Sequence, residues 1–498
     1  MTGEDHTLAR SMKDSVIAGV EKKNVEVFLV FVVFLFGFLF NLWIFSRSRL
    51  ITGVDGPYYL IQVRGLLTSG SLVYGDPPLT FYLLAFFSLL TGDITSGVKI
   101  GVSFFCVLST IPVFFFMKKV GKSRLSGFIA MLLIVFSAPL IRMMTDFMKN
   151  AIGICWFLFF LYYLHGLAFS ETAMKKNLVL ATFFLLLAEI THVLDFGFAF
   201  LFLTFYTVIA AFFNINRRRF LISAGILALA TGVSMFLAAT YFSSLFTDFN
   251  KLFSFLHSLF SPRGKESPPL PPAPGHGRPH MPPRPEPFVP TIPFSLGIVG
   301  GWGVILLVLS FGAFLSLYLW KKRDKEPFLL LTVTTTVGSI TCFPLIPNEW
   351  LGRFLLMFVV PTAIILSYGL SKINDLLGKI SKINVSLFLI SFCLAFFIMQ
   401  ALSIAVQIRP TIDYGVYLDL VNMKSHIPPN SVVVVPVHGM YYWVQYVCEV
   451  DVGQPSNDLW QSYSHVLGLF PKDNLPPSLS NRTLFVGKNL VLVELPPP

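Results

Sequence analysis

The 498-residue sequence predicts an all-α polytopic membrane protein with about eleven transmembrane helices and a small C-terminal external α/β domain. Three observations lead to this fold class. Hydrophobic residues make up 54% of the chain and charged residues only 13%, with a mean hydropathy of +0.71, whereas soluble domains contain about 25% charged residues. The apolar residues form long runs separated by short polar connections, and the chain becomes polar, with a β-branched run, after residue 408.

The apolar runs are long enough to span the hydrocarbon core of a bilayer. They follow a polar segment, residues 1–26, and form a transmembrane domain over 27–408. The predicted spans are 27–46, 97–117, 125–141, 150–169, 178–191, 194–213, 220–242, 296–320, 327–346, 351–370 and 383–407. The run Pro77–Leu90 has only about half the length that a span needs. It is interpreted as an interfacial or re-entrant helix within a first external loop, 47–96.

The charges of the connections predict the orientation. Alternate short loops are all basic, as the positive-inside rule expects of cytosolic loops: Lys118–Arg124, Ser170–Asn177, Asn214–Arg219, Lys321–Glu326 and Ser371–Lys382. This pattern predicts a multi-pass protein of the cell membrane, with a cytosolic N-terminus. The same loops account for the net charge of +11, so the bilayer is the expected partner and nucleic acid is not.

Two external regions complete the organisation. Residues 243–295 form a proline-rich loop, which favours polyproline II or irregular chain. Residues 409–498 form the C-terminal domain. Within it the sequence predicts strands at Ser431–Val437, Tyr441–Val447 and Asn489–Glu494, since β-branched and aromatic runs are typical of strands.

Ionisable residues collect on the predicted external side. A charge at the edge of a membrane is costly to bury and marks a functional site more often than not. The external connections carry Asp55, Arg64, Asp76, Arg142, Asp146, Lys149, Glu189, His192, Asp195, Glu349 and Arg353. We therefore expect one site where these loops meet.

Several sequence patches resemble the GT-C superfamily of membrane glycosyltransferases. DGPYYLIQVRGLL followed by YGDPPLTFYLLA resembles the first external loop of protein O-mannosyltransferases and lipid A aminoarabinose transferases. APLIRMMTDFMKN is similar to their second external loop, and GRFLLMFVVPTAIILSYGL to a late helix that begins with an Arg-Phe pair. IPPNSVVVVPVHGMYYWVQYV is similar in layout to the oligosaccharyltransferase catalytic subunit, but it has PVHGM where that family has WWDYG, and the second loop has no DxD.

The resemblance implies a reaction and a set of site residues. These enzymes take a sugar from a polyprenyl-phosphate carrier, which requires a carboxylate for the acceptor and positive charge for the departing phosphate. Asp55 is then the catalytic carboxylate, supported by Asp76 and Asp146. A divalent cation, Mg or Mn, would be held by Asp55 and Asp146. The expected substrate-binding residues are Arg353, Glu349, His192, Arg64, Tyr58 and His438, with the neighbouring Tyr441, Tyr442 and Trp443 as further candidates.

Each candidate also has a structural explanation. The three aspartates are placed to cap helices, His192 sits between two helices, and Arg353 is four residues from Glu349 on one helix face. At the level of the whole protein, the expected function is transfer of a sugar from a polyprenyl-phosphate donor to a lipid, glycan or protein acceptor. The alternatives are a transporter or flippase for a lipid or anionic solute, and a non-catalytic protein that keeps the scaffold.

Overall fold

The computed structural model describes residues 4–241, 257, 301–343, 346, 348–380, 385–435 and 438–497. The side chains of residues 4–23, 348–349, 378–380 and 438 are outside this description. The proline-rich loop predicted at 243–295 lies outside the described residues, apart from residue 257.

The described chain is mainly helical. Its α-helices are α1 (Glu4–Ser46), α2 (Gly56–Ser69), α3 (Leu79–Thr91), α4 (Ile94–Leu108), α5 (Thr110–Gly121), α6 (Arg124–Val135), α7 (Ala138–Asp146), α8 (Met148–Phe169), α9 (Met174–Glu189), α10 (Val193–Phe212), α11 (Arg217–Tyr241), α12 (Trp302–Lys322), α13 (Lys325–Thr341), α14 (Asn348–Met357), α15 (Val359–Ile380), α16 (Val385–Gln407), α17 (Tyr414–Met423), α18 (His438–Cys448) and α19 (Asn457–Ser462). The strands are β1 (Ser431–Val434), β2 (Asp451–Gly453), β3 (His465–Pro471), β4 (Thr483–Val486) and β5 (Leu490–Glu494).

The number of spans differs from the predicted eleven. Within the described residues, eight helices are long and apolar enough to cross a membrane, and nine if α6 and α7, bent by 44°, form one broken span. Two predicted spans correspond to α9, with 16 residues, and α13, with 17 residues. At a rise of about 1.5 Å per residue, such helices are shorter than a hydrocarbon core of about 30 Å. The polytopic helical class is confirmed, whereas the count of eleven is not.

The short apolar run of the first loop forms a helix of its own. Helix α3 has 13 residues, too few for a span, and it packs against α2 and α4. Its contact with α4 is close because Gly97 has no side chain: a Cβ there would lie 2.3 Å from the Cα of Ser88. Helices α2 and α4 therefore cover two sides of α3. How deeply α3 lies in a bilayer remains a prediction.

Helix α8 lies at the centre of the helical domain and contacts α4, α5, α7, α9 and α10. Its inner face is aromatic: the ring of Phe157 lies 5.2 Å from the rings of both Phe198 and Phe202 on α10. Such edge-on aromatic packing fills volume without polar groups. The packing along α8 therefore fixes the position of its first turn at one end of the bundle.

The loops predicted to be cytosolic meet one another. Glu26 is 7% exposed and forms ion pairs with Lys118 and with Arg124, the latter at 2.7 Å. The amine of Lys372 lies 3.4 Å from the carbonyl of Gly121. Basic loops far apart in sequence are thus neighbours, as the predicted sidedness requires. Which end faces the cytosol remains a prediction.

The C-terminal domain contains a five-stranded mixed sheet in the order β2-β1-β3-β5-β4. Strands β1 and β5 confirm two of the predicted strands. The strand predicted at Tyr441–Val447 is wrong, because that segment is helix α18. The reason is topological: β1 and β2 are parallel, and a parallel pair needs a crossover, usually a helix. The need for a crossover outweighs the β propensity of the tyrosines and valines.

The C-terminal domain is docked on the first loop. The N–H of Gly53 bonds to the carbonyl of Arg409 at 3.3 Å, and α18 packs on α2. Arg64 of α2 donates to the carbonyl of Tyr446 at 2.6 Å and pairs with Glu449 at 3.1 Å. These contacts place α18 directly over the residues that follow Asp55.

Candidate functional site

Asp55 begins helix α2 without using its side chain to cap it. It occupies the N-cap position with φ −89° and ψ 2°, and its carboxylate makes no capping hydrogen bond to the described chain. The backbone carbonyl of Asp55 accepts from the N–H of Tyr59 at 3.3 Å. Proline in the first turn of α2 stiffens the start of the helix. The capping explanation for this carboxylate is therefore not supported.

The second external loop brings Asp146 to the residue before Asp55. The N–H of Val54 donates to Asp146 Oδ1 at 3.4 Å, and the Asp55 carboxylate is near enough to act on Asp146 electrostatically. This approach depends on Gly53, which has φ +86° and would place a Cβ 2.0 Å from the carbonyl oxygen of Thr145. Only glycine combines a positive φ with so little volume. The structure therefore brings two predicted catalytic loops together.

Asp146 also has a basic partner of its own. It lies at the end of α7, is 7% exposed, and forms an ion pair with Arg142, four residues earlier on the same helix. Its charge is thus compensated locally. The capping role weighed for Asp146 does not apply, because the residue at the N-cap of α8 is Phe147, with no side-chain cap bond.

Asp76 forms a buried ion pair with Lys149. The two groups are 2.7 Å apart, and their side chains are 6% and 11% exposed respectively. Gln62 supports the carboxylate with an Nε2–Oδ2 distance of 3.5 Å, and it exchanges two hydrogen bonds with the backbone of Tyr74. The N-cap of α3 is Pro78. Asp76 therefore faces the site and does not cap the following helix.

An aromatic wall lies beside these charges. The ring of Tyr58 lies 5.3 Å from that of Tyr442 and 5.5 Å from that of Tyr74. Burial, together with the neighbouring Asp55 carboxylate, raises the pKa of Tyr442 above its usual value. Tyr442 is therefore a neutral phenol at physiological pH. Because it belongs to α18, the C-terminal domain contributes directly to the site.

Arg353 lies beside the second loop. Its guanidinium carbon is 5.7 Å from the ring centre of Phe147 and 5.8 Å from that of Trp350. Phe147 directly follows Asp146 in the chain. The side chain of Glu349 lies outside the described part, so the proposed ion pair with Arg353 is not described. Arg353 therefore lies next to the acidic loop, and its predicted contact with a carrier phosphate stays a prediction.

Other predicted site residues have different surroundings. Arg64 is engaged with α18, as described above. His192 caps α10, since its Nδ1 accepts from the N–H of Leu194 at 3.2 Å, and the same atom lies 3.4 Å from the carboxylate of Asp195. The third loop still adjoins the first, because the N–H of Leu79 bonds to the carbonyl of Ile190 at 3.2 Å. The side chain of His438 is outside the described residues.

Three contributors were not predicted as site residues. Lys149 was recognised only as one of several external charges, and Gln62 and Tyr74 were not considered. The partner of Lys149, Asp76, is 73 residues away in sequence. A sequence signal existed only for the acids, which sit in turns beside glycine and proline, while Lys149 lies at the start of an ordinary apolar helix.

The donor set does not fit the divalent cation expected at Asp55 and Asp146. In the part of the chain that the structure describes, no group of three or more His, Cys, Asp or Glu side chains is placed to hold a metal ion. Asp146 is paired with Arg142 and Asp76 with Lys149. A metal would have to displace these bases or accept their repulsion, which acts strongly in a buried setting.

Comparison with known proteins identifies the fold. No family model and no curated protein matches the sequence. Three solved structures illustrate the similarity. Archaeoglobus fulgidus oligosaccharyltransferase, in complex with Zn and sulfate, is 13% identical, with a TM-score of 0.60 over 88% of this chain and 67% of that one. The same organism's AglB, with an inhibitory peptide and a dolichol-phosphate, is 12% identical, with a TM-score of 0.61 over 88% and 69%.

The third structure is ArnT from Cupriavidus metallidurans bound to undecaprenyl phosphate. It is 13% identical, with a TM-score of 0.57 over 94% of this chain and 97% of that one. Identities this low carry the fold alone. The GT-C-like fold predicted from the sequence is thereby confirmed, and the chain is a multi-pass membrane protein.

Proposed function

We propose that this protein is a glycosyltransferase that moves a sugar from a polyprenyl-phosphate-linked donor to a lipid, glycan or protein acceptor on the external membrane face. The observation that carries the proposal is the junction of the first two external loops, where Asp146 bonds to the residue before Asp55 and Asp76 pairs with Lys149. Two solved structures of the same fold hold a dolichol-phosphate and undecaprenyl phosphate, which supports a carrier of that class.

Asp55 serves as the catalytic carboxylate in this proposal. It accepts the proton of the acceptor hydroxyl or amide as the new bond to the sugar C1 forms. The bond between C1 and the phosphate oxygen breaks, and the electron pair leaves with the carrier phosphate. The Asp55 carboxylate makes no capping hydrogen bond at the start of this proline-stiffened helix, which supports a role toward the acceptor rather than a role as a helix cap.

The other residues act around Asp55. Asp76 and Asp146 keep the first and second external loops in contact. Arg353 binds the carrier phosphate, since the planar guanidinium matches the geometry of a phosphate group. Tyr58 and Tyr442 present faces on which a sugar ring packs. Arg64 and His192 act as positioning residues that fix α2 and α10. Glu349 and His438 complete the expected substrate-binding set.

The proposal is tested with the purified full-length protein. It is incubated with a panel of polyprenyl-phosphate sugars labelled in the sugar, alongside membrane lipid extracts and peptides as acceptors. Release of free polyprenyl phosphate together with transfer of label supports the function. If label from at least one donor is moved across a membrane and no bond is broken, the transporter alternative is correct and the proposal fails.

A further inference from the structure

Departure of a carrier phosphate requires positive charge at the site. Lys149, which was not predicted as a site residue, is a candidate to supply it. Metal ions and basic side chains both meet the requirement in phosphate chemistry. Two of the described carboxylates that a metal would use, Asp146 and Asp76, are already paired with bases. The inference below rests on the proposed function, since it concerns how the same site handles its donor.

Lys149 is held rigidly at the centre of the site. Its backbone N–H donates to the hydroxyl of Tyr59 at 3.1 Å, its ammonium pairs with Asp76 at 2.7 Å, and the same ammonium lies 5.9 Å from the centre of the Tyr58 ring. It sits in the first turn of α8, where the dipole of a 22-residue helix adds positive potential. Both partners of the ion pair are more than four-fifths buried.

A buried ion pair is costly to maintain. Apolar residues of similar volume often stabilise a protein as well or better, because two charges must be removed from water. Most side chains buried around α8 are aliphatic or aromatic, although polar side chains such as Asn150 and His165 are buried on it as well. A lysine and an aspartate retained at this point are therefore better explained by a charged ligand than by folding.

Arg142 is the base that pairs with the other supporting acid, Asp146. Its ion pair with Asp146 cancels the charge that would attract a cation to the junction of the loops. With Arg353 near Phe147, three bases stand against Asp55, Asp76 and Asp146. The charges of these bases balance those of the three acids, which lowers the attraction of the site for a divalent cation.

We propose that Lys149 binds the carrier phosphate together with Arg353, and that transfer proceeds without a divalent metal. The phosphate oxygens take up hydrogen bonds from the Lys149 ammonium, which exchanges part of its contact with Asp76 for the ligand. As the bond between C1 and the phosphate oxygen breaks, the departing phosphate gains one negative charge, which the Lys149 ammonium stabilises, while the acceptor's proton goes to Asp55. Arg142 keeps Asp146 occupied, so the junction of the loops stays closed to a metal ion.

The first experiment separates phosphate binding from turnover. Equilibrium binding of undecaprenyl phosphate is measured in detergent for the wild type, Lys149→Gln, Lys149→Arg, Asp76→Asn and the double variant Lys149→Gln/Asp76→Asn. The exposed Lys472 provides the control Lys472→Gln. We expect about 10- to 100-fold weaker binding for both variants that lack the ammonium, since charge-assisted hydrogen bonds are the strong ones.

The remaining variants make the assignment specific. Asp76→Asn removes the competing carboxylate and keeps the ammonium, so its binding is equal to or tighter than that of the wild type, and Lys149→Arg retains most of it. The double variant leaves no unpaired buried charge, so it addresses any misfolding of Lys149→Gln alone. Wild-type affinity in the folded double variant would overturn the proposal.

The second experiment addresses the metal. Mn²⁺ binding is followed by electron paramagnetic resonance with and without undecaprenyl phosphate, and transfer is measured after chelation with EDTA and after Mn²⁺ or Mg²⁺ addition. We expect no stoichiometric Mn²⁺ binding that Asp146→Asn abolishes, and less than a twofold change in rate on chelation. Transfer lost with EDTA and restored by Mn²⁺ would overturn this inference while supporting the proposed function. Absence of transfer under all metal conditions, with phosphate binding still dependent on Lys149, would instead count against the proposed function.

Discussion

At the scale of single residues, the arrangement of the site depends on which acidic and basic side chains pair with each other. The sequence allowed the prediction that Asp55 matters, because an acid followed by glycine and proline marks a rigid turn at a membrane edge. It did not allow the prediction of the Asp76–Lys149 pair, since nothing local indicates which of several bases meets an acid 73 positions away. Long-range ion pairs depend on helix packing, which a single sequence does not specify.

The junction of the two loops depends on Gly53. We expect Gly53→Ala to lower the free energy of unfolding by more than the roughly 1–2 kcal/mol of a left-handed alanine, because its Cβ would also meet the Thr145 carbonyl at 2.0 Å. Gly70 has φ +71° with nothing within 4 Å, so Gly70→Ala is the control for backbone strain alone. Thermal unfolding in detergent compares the two, and equal losses would contradict the close approach.

The aromatic wall gives a second prediction at this scale. Tyr442→Phe keeps the ring that faces Tyr58 at 5.3 Å and should retain most transfer. Tyr442→Ala should raise KM for the sugar donor by about 2- to 12-fold, because a stacking surface contributes about 0.5–1.5 kcal/mol. Steady-state kinetics with one donor measures both. Equal KM values for all three proteins would remove Tyr442 from the substrate surface.

At the scale of elements, local propensity and topology compete. The run Ser431–Val434 forms the predicted strand because its β-branched residues are buried on both faces. Tyr441–Val447 has a similar composition, yet it is helical because the parallel strands on either side require a crossover. The helix also presents Trp443 and Val444, 1% and 0% exposed, to the core. Composition alone could not distinguish these two outcomes.

One buried acid ties the elements of the C-terminal domain together. Asp419 on α17 is 5% exposed and accepts from the N–H groups of Lys488, Asn489 and Leu490, where strand β5 begins. Burial alone would raise its pKa, but these donors outweigh burial and hold the pKa of Asp419 below its usual value. Asp419→Asn should therefore destabilise the domain by about 1.5–3 kcal/mol at neutral pH.

The pH dependence of this effect has a definite sign. A group with a lowered folded pKa contributes stability above its unfolded pKa of about 3.9, and that contribution disappears as pH falls through the folded value. The difference between wild type and Asp419→Asn should be constant from neutral pH down to about pH 4 and shrink below that. Thermal unfolding across this range tests it, with Asp413→Asn as the control at an exposed aspartate. A difference that persists unchanged at pH 2 would contradict the assignment.

At the scale of the whole molecule, the order of apolar runs predicted the helical membrane domain, and the polar tail predicted the α/β domain. The count of eleven spans is not confirmed, because apolar runs that predict spans include α9 and α13, whose helices have only 16 and 17 residues. Hydropathy is averaged over a window of residues, whereas the end of a helix depends on its capping residues and on its packing. The pairing of Glu26 with Lys118 and Arg124 and the contact of Lys372 with the carbonyl of Gly121 bring the start of the first span and two of the basic loops together.

The predicted orientation can be measured directly. We expect an impermeant maleimide added to intact cells to label Asp458→Cys in the C-terminal domain and not Lys175→Cys in a basic loop. The native cysteines give a low background, since four are buried and Cys393 is partly buried. Labelling of both cysteines after permeabilisation is the control. Labelling of Lys175→Cys in intact cells would show that the orientation is the reverse of the predicted one.

The most direct test of the account is the transfer rate of Asp55→Asn in the full-length protein. The change removes one charge and keeps the size and shape of the side chain, and it removes no helix cap, so we expect the fold to be retained. With a donor that the wild type turns over, we expect transfer to fall by about 10²–10⁴-fold, as for loss of a general base, while Asp458→Asn, at an exposed aspartate, keeps the wild-type rate. A folded Asp55→Asn protein that transfers sugar at the wild-type rate would contradict the assignment of Asp55 as the catalytic carboxylate.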